Sequence, residues 1–400
     1  MIDFSLDETQ KQFVDMARDF GKNVWEPAEI ELDQMGDPDA AFQSDLFKKT
    51  IAQAFELGFH KMGLREEFGG LGLDSSTTGL IWEELGRHGA GLTATLMAGS
   101  VVPALVAFLA ATNQPLLDRY VIPFCEDTTG SLVSGWGSSE PNLGSDGKRY
   151  NDPTVRHQTT AEKKDGRYVI NGYKSSFISN GGIAANYIVF ACLEPSRGLL
   201  GSGAFIVPGG SKGLSRGKVE NRIGLRALNQ APIYFDDVEV PEDHLLFPPG
   251  DMYPFLHHSI MTVGNLGTGY LALGLMRAAY EEALAYSKDR IQGGKPIKEH
   301  QLVTKRLFET RAAIEYCRSF LWKGSWHCKN NFPGDLLTSV SAKVTCTNLA
   351  VDHTYQMMQV LGGYGISKEY KLEKYARDAP LLTIMDGTND TLMMMAAEKM

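Results

Sequence analysis

The hydrophobic period of this chain changes twice, and neither an all-helical bundle nor a single sheet accommodates both changes. From Asp7 to about Asp127 apolar residues recur at helical spacing: Phe13, Met16, Ala17 and Phe20 fall three to four apart, and Ser5 with Glu8 reads as a capping box. Between Ser131 and about His244 the pattern shortens to strand-length runs bounded by turn residues, such as Tyr168 to Gly172, Tyr187 to Ala191, Gly203 to Val207 and Ile233 to Val240. Beyond Asp251 long helical patterns return, over Leu271 to Arg290, His300 to about Lys329, Ala342 to Val360 and from Lys371 onward. Gly293-Gly294, Asn331 to Gly334 and Gly362-Gly363 separate them. The pattern predicts an α+β chain of three domains: helical over 1–128, β over 129–246 and helical again over 247–400.

The composition narrows the function classes. With 43% hydrophobic and 22% charged residues among 400, the chain can bury a sizeable core. A net charge of −9 supplies no basic stripe for phosphate contacts, which argues against nucleic acid as a partner. Acids occupy the N-terminus where a signal or transit peptide would place basic and apolar residues, and the longest apolar run, Val101 to Ala111, is short for a bilayer and contains Pro103. Cys125, Cys192, Cys317, Cys328 and Cys346 stand apart without metal-ligand spacing, so they read as reduced and structural. His257-His258 reads as a pair of surface histidines rather than metal ligands. No metal site is expected, and a cytoplasmic enzyme without membrane insertion fits these features best.

Five motifs follow one another in the chain. Ser138-Ser139-Glu140-Pro141-Asn142-Leu143-Gly144-Ser145-Asp146 comes first, and Asn171-Gly172-Tyr173-Lys174 leads through Phe177 and Ser179 to Asn180-Gly181, which alone reads as a hairpin turn. Asp289-Arg290 precedes Gly293-Gly294-Lys295-Pro296-Ile297 and Gln301; alone, Arg290 reads as a solvated helix-end charge. Gln359-Val360-Leu361-Gly362-Gly363-Tyr364-Gly365 could by itself be a helix C-cap. Arg377-Asp378-Ala379 then leads to Ile384-Met385-Asp386-Gly387-Thr388-Asn389, where Asp386 could either act as a base or cap a helix.

In that order and over nearly the whole chain, these motifs resemble the acyl-CoA dehydrogenase family. The resemblance implies that family's fold: an N-terminal helical domain, a middle β-barrel or sandwich and a C-terminal four-helix bundle. It also implies FAD, with Trp136, Ser138, Ser139, Phe177, Ser179 and Thr388 toward the flavin, and Arg290, Gln301, Gln359, Gly362 and Gly363 toward its adenine and pyrophosphate half. In relatives the arginine at position 290 reaches FAD bound mainly by a neighbouring subunit, so a homotetramer or homodimer is implied. Ser145, Gly387 and Arg377 would meet an acyl-CoA substrate, an electron-transfer flavoprotein would take the electrons, and Asp386 would be the base.

The departures from the family pattern are specific. Asp386 replaces the usual Glu and is one methylene shorter, Phe177 replaces Trp and Ser179 replaces Thr. One extra residue lies between Lys174 and Ser179, and Gly293 stands where the family has Phe. Thr262-Val263-Gly264-Asn265 offers neither a second carboxylate nor the usual arginine, which implies an Asp386 weakly held by charge. The shorter base points to a branched or cyclic acyl-CoA. An alternative is a nitroalkane-oxidase-like enzyme that uses Asp386 on a small carbon acid without CoA and is reoxidised by oxygen, although Gly144-Ser145-Asp146 would then lack a purpose. A flavin-binding scaffold without catalysis is a third reading, and the retained carboxylate argues against it.

Overall fold

The structure is a computed structural model and describes residues 5–150 and 152–400. The N-terminal part holds α1 (Glu8–Phe20), α2 (Glu26–Gln34), α3 (Pro38–Gln43), α4 (Asp45–Glu56), α5 (Ser75–His88), α6 (Ala90–Gly99), α7 (Val101–Leu109), α8 (Gln114–Leu116) and α9 (Ile122–Glu126). The capping box of α1 lies two residues later than Ser5 with Glu8. Asp7 accepts from the Gln10 amide at 2.8 Å while the Gln10 side chain reaches back to the Asp7 amide, so the Asp–Gln pair closes the helix start.

The middle part is a mixed sheet of β1 (Ser134–Gly137), β2 (Thr160–Lys164), β3 (Arg167–Lys174), β4 (Asn186–Cys192), β5 (Ser202–Pro208), β6 (Leu214–Arg216), β7 (Ile233–Pro241) and β8 (Leu245–Phe247). The strand order is β6-β7-β3-β2-β4-β5-β8, with β1 parallel to β4 on its flank. Strand β4 shows why the sheet sits where it does. Its alternate residues serve two cores: Ile188 and Phe190 join the helical core around Trp25 and Phe124, whereas Tyr187, Val189 and Ala191 join Phe205, Val207 and Ile233 on the other face. A strand buried on both sides must read as a continuous apolar run, as this one does.

The C-terminal part contains α10 (Tyr253–Asp289), a small hairpin of β9 (Ile291–Gln292) and β10 (Lys295–Pro296), α11 (Gln301–Asn330), α12 (Leu336–Val360), α13 (Leu372–Leu382) and α14 (Asn389–Ala397). Tyr270 to Met276 of α10 is buried on all sides because the helix runs between α5 and the other bundle helices. Small residues make this possible: a methyl group on Gly274 would lie 2.3 Å from the Glu83 carbonyl oxygen. Helices α6 and α7 together are also more apolar than the run from Val101 suggests. Ala90–Leu109 has a mean hydropathy of 2.0 and is long enough to cross a membrane, yet Leu92, Leu96, Val102 and Val106 are packed into the core around Trp25. All five cysteines are buried and unpaired.

A ladder of ion pairs fastens α13 to α2. Glu26, Glu29 and Asp33 fall on one face of α2, and Lys371, Lys374 and Arg377 on one face at α13. Lys371 pairs with Glu26, Lys374 with Glu29 at 2.8 Å and Arg377 with Asp33 at 2.7 Å. Lys374 also meets Asp378 at 2.6 Å, and all three charges of this centre are buried. Glu29 further accepts from the Gly91 and Leu92 amides at the start of α6, and Asp378 accepts from the Leu225 amide at 2.6 Å. Burial pushes Asp378 up and the Lys374 charge works against it. Replacing Lys374 by Met would leave two buried carboxylates without their cation. We expect Lys374→Met to lower stability by about 3–5 kcal/mol, read as a reduced urea midpoint at an unchanged slope.

Candidate active site

Helix α13 ends at Leu382, and the chain then turns sharply through two left-handed residues, Asp386 at φ 55° and Gly387 at φ 101°. Aspartate is among the few residues that adopt this conformation at modest cost, and such strain concentrates at functional sites. Lys343 of α12 holds the turn from inside. Its ammonium donates to the Gly387 carbonyl at 2.8 Å, to Asn389 Oδ1 at 2.9 Å and to the Thr383 carbonyl at 3.5 Å. Burial pushes Lys343 down to about 7, against the pull of Asp386. Thr388 is the N-cap residue of α14, so Asp386 is free of capping duty. Among the described residues neither the Asp386 nor the Gly387 amide donates a hydrogen bond.

The Asp386 carboxylate points at α10. Thr268 Oγ1 donates to Asp386 Oδ2 at 2.6 Å, and a methyl group on Gly264, one turn earlier, would lie 3.9 Å from the same oxygen. Asp386 as a residue is exposed to solvent, while protein packed around its carboxylate raises its pKa. Thr268, Lys343 and Lys148 oppose that rise in this order. The expectation of a weakly held base, based on the missing arginine near Asn265, therefore needs correction. Two lysines from other elements take over the electrostatic role. Neither was legible: Lys343 is a lone cation within a mostly apolar helix, and Lys148 lies in a polar loop.

The wall opposite is built by the first two motifs, and a buried ion pair joins them. Lys174 at the end of β3 donates to Glu140 at 2.6 Å and to the Phe190 carbonyl at 2.6 Å, while Glu140 accepts from the Gln158 and Thr159 amides. The Ser175 amide donates to the Ser139 carbonyl at 3.0 Å. Burial pushes Lys174 down to about 8 even with Glu140 beside it. This pair was missed because Glu140 and Lys174 are thirty-four positions apart. Trp136 is half-buried against Phe190 at 5.1 Å between ring centroids, Ser138 is half-buried, Ser139 is exposed, and Phe177 stands 62% exposed on the turn after β3. Gln230 donates to Ser179 Oγ at 3.4 Å.

Asn180-Gly181 is a turn but not a hairpin, because β3 pairs with β2 and β7 and never with β4. Asn180, at φ 58°, instead ties the turn to α6 and β1 by donating to the Thr95 and Ser134 carbonyls. Met97 of α6 in turn abuts α10, since a methyl group on Gly267 would lie 2.4 Å from its Cε. Helix α6 thus forms a floor between the turn carrying Phe177 and Ser179 and the part of α10 that faces Asp386. Ser145 Oγ lies 3.4 Å from Thr388 Oγ1 and joins the first motif to the base turn.

Five expected residues gather elsewhere. Arg290 follows the end of α10, Gln301 begins α11, Gln359 lies in the last turn of α12 and Gly362-Gly363 follows it; all are exposed. Tyr286 meets Tyr364 and Tyr370 at 6.4 and 5.4 Å, which places these ends together. A methyl group on Gly362 or Gly363 would meet nothing within 4 Å, so these glycines do not serve packing inside the chain. From Thr268 to Arg290, α10 runs about six turns or about 33 Å. Arg377, expected at the substrate, is committed to Asp33, Glu373 and the Ile223 carbonyl. His257 is likewise not a surface residue: it is buried, pairs with the Tyr150 hydroxyl at 2.5 Å and is pushed down to about 3 by burial.

An exposed aromatic ring beside hydroxyls, two unbonded amides and a carboxylate across the cleft suits a planar ligand with polar edges, as a flavin is. Comparisons with known proteins agree. Models of the N-terminal, middle and C-terminal domains of acyl-CoA dehydrogenases match residues 7–126, 135–238 and 257–400. The short-chain-specific acyl-CoA dehydrogenase of Megasphaera elsdenii is 32% identical over 399 residues, covering 98% of each chain. The cyclohex-1-ene-1-carbonyl-CoA dehydrogenase of Geobacter metallireducens is 30% identical and covers 97% of each. The solved butyryl-CoA dehydrogenase of Megasphaera elsdenii superposes with a TM-score of 0.89 at 30% identity, over 100% of this chain and 99% of that one.

The Thr268 contact can be tested directly. Thr268→Val removes a hydrogen bond to the charged form of Asp386, so the carboxyl pKa should rise further. Because the base works ionised, the acidic limb of the pH–rate profile should move to higher pH, with flavin content unchanged. An unmoved limb would show that another group titrates there.

Proposed function

Since the chain belongs to the acyl-CoA dehydrogenase family of FAD-dependent oxidoreductases acting on CH–CH groups, we propose that it oxidises an acyl-CoA thioester with Asp386 as the base. The observation that carries this reading is the placement of Asp386: a left-handed turn, Lys343 behind it and Thr268 in front hold one carboxylate against α10. Bound FAD supplies the two-electron acceptor. Trp136, Ser138, Phe177 and Ser179 would hold its ring system, and the free Asp386 and Gly387 amides would orient the thioester carbonyl, making the α-proton more acidic. Asp386 then takes that proton. The protein packed around its carboxylate raises its pKa above the ordinary aspartate value, which makes it a stronger base.

A single chain cannot serve both ends of one cofactor, because α10 separates the Asp386 region from Arg290 by about 33 Å. Arg290, Gln301, Gln359, Gly362 and Gly363 would therefore receive the adenine and pyrophosphate of a flavin whose ring lies in a second copy, in a homodimer or homotetramer. The open space beside Gly362 and Gly363 supports this arrangement, and a guanidinium suits two phosphate oxygens. The base is one methylene shorter than Glu, so a substrate with its α-carbon close to α10, such as a branched or cyclic acyl group, would suit it. Ser145, beside Thr388, would meet the CoA chain.

Anaerobic flavin bleaching with straight, branched and cyclic acyl-CoAs beside nitroalkanes tests the reading. Bleaching by thioesters supports it, and bleaching by nitroalkanes alone overturns it. Asp386→Asn keeps shape but removes basicity, so flavin should stay bound while reduction slows by roughly 10²–10⁴. Asp386→Glu moves the carboxylate outward by one methylene, and we expect partial activity or a shifted substrate range. Unchanged reduction in the Asn variant would assign the proton to another group.

A further inference from the structure

Two ammonium groups flank Asp386, and they differ in one respect. Lys343 is saturated: its three N–H donors meet the carbonyls of Gly387 and Thr383 and the Asn389 side chain. Lys148 is not. It stands over the base turn from the loop after Ser145, where a methyl group on Gly387 would lie 3.3 Å from its Nζ. It makes no hydrogen bond and no ion pair within 4 Å among the described residues, and Asp386 is the anion whose field it feels. Its other titratable neighbours are Lys343, a like charge, and His257, which is held neutral by burial and lies against Tyr150. A half-buried cation with all its donors unspent, beside a base, is an electrophile waiting for negative charge.

We propose that Lys148 is a further catalytic residue, whose ammonium donates to the thioester carbonyl oxygen as negative charge develops there. The inference rests on the acyl-CoA reading above. When Asp386 takes the α-proton, the C–H bond breaks, its electron pair moves toward the carbonyl and the oxygen gains charge. The oxidation is completed as a hydride leaves the β-carbon for the bound FAD. In this step Asp386 loses the negative charge that faced Lys148, and the enolate oxygen replaces it, so Lys148 faces one anion throughout. Lys148 donates no hydrogen bond to Asp386 in the resting site, so a hydrogen bond made only as the carbonyl oxygen gains charge favours the transition state over the ground state.

The test compares the wild-type holoenzyme with Lys148→Met and Lys148→Arg. Butyryl-CoA reports anaerobic flavin reduction, and acetoacetyl-CoA, which ionises without being oxidised, reports the enolate by absorbance. The Met variant should reduce flavin about 10²-fold more slowly and bind acetoacetyl-CoA with a smaller enolate fraction at the same pH, while the Arg variant should recover most of both. Wild-type rates and an unchanged enolate fraction in the Met variant would overturn the role. So would slower reduction with an unchanged enolate fraction, because that is the mark of a structural effect. If the wild type reduces glutaryl-CoA far faster than butyryl-CoA and the Met variant reduces both alike, the ammonium serves a permanent carboxylate and the proposal falls. Should no thioester bleach the wild type while nitroalkanes do, the acyl-CoA reading fails first.

Discussion

The buried ion centre of Lys374 with Glu29 and Asp378 carries more of this architecture than any other contact. Its three charges come from α2 and α13, and their remaining hydrogen bonds reach α6 and the Leu225 amide in the middle part. Buried charges are tolerated only when each is paired and its remaining hydrogen-bonding capacity is filled. That requirement aligns all three parts at α13. The helix leads directly into the turn that presents Asp386, so this carboxylate takes its position from residues more than three hundred positions away in the chain.

Within the cleft the same chemistry is used differently. The Lys174–Glu140 pair is closed, satisfied by backbone groups on both sides, and fixes the wall where Trp136 and Phe177 project. Around Asp386 the charges are left incomplete. Burial holds Lys343 at about 7 and raises Asp386. The turn around Asp386 is left electrically incomplete, whereas the pairs that hold the fold together are neutralised.

The sequence made much of this legible, for physical reasons. Periodicity marked the helical and β regions because strand β4 and the stretch of α10 from Tyr270 to Met276 are buried on all sides and must be apolar. Asp386 was recognisable because a carboxylate before Gly-Thr is a local pattern. Thr268 was not, because a hydroxyl among the small residues of a helix carries no local sign of what it faces. Lys148 and Lys343 were invisible for a related reason: a cation on an unrelated element acts through space, and spacing along the chain does not reveal it. Arg377 shows the opposite error, since a motif residue beside the base was expected at substrate and instead holds α13 to Asp33. His257 was misread because the aromatic shell of Tyr150 and Tyr253 that buries it forms only in the fold.

The distance along the chain between the partners of the ion ladder also sets an order of events. Lys374 and Glu29 are 345 residues apart, so during synthesis α2 emerges long before its partner exists. Until α13 follows, Glu29 holds the Gly91 and Leu92 amides without its cation. Release of the last few dozen residues both completes the ladder and delivers Asp386. A chain broken before α13 would lack Asp386 and would also leave Glu29 buried without its cation.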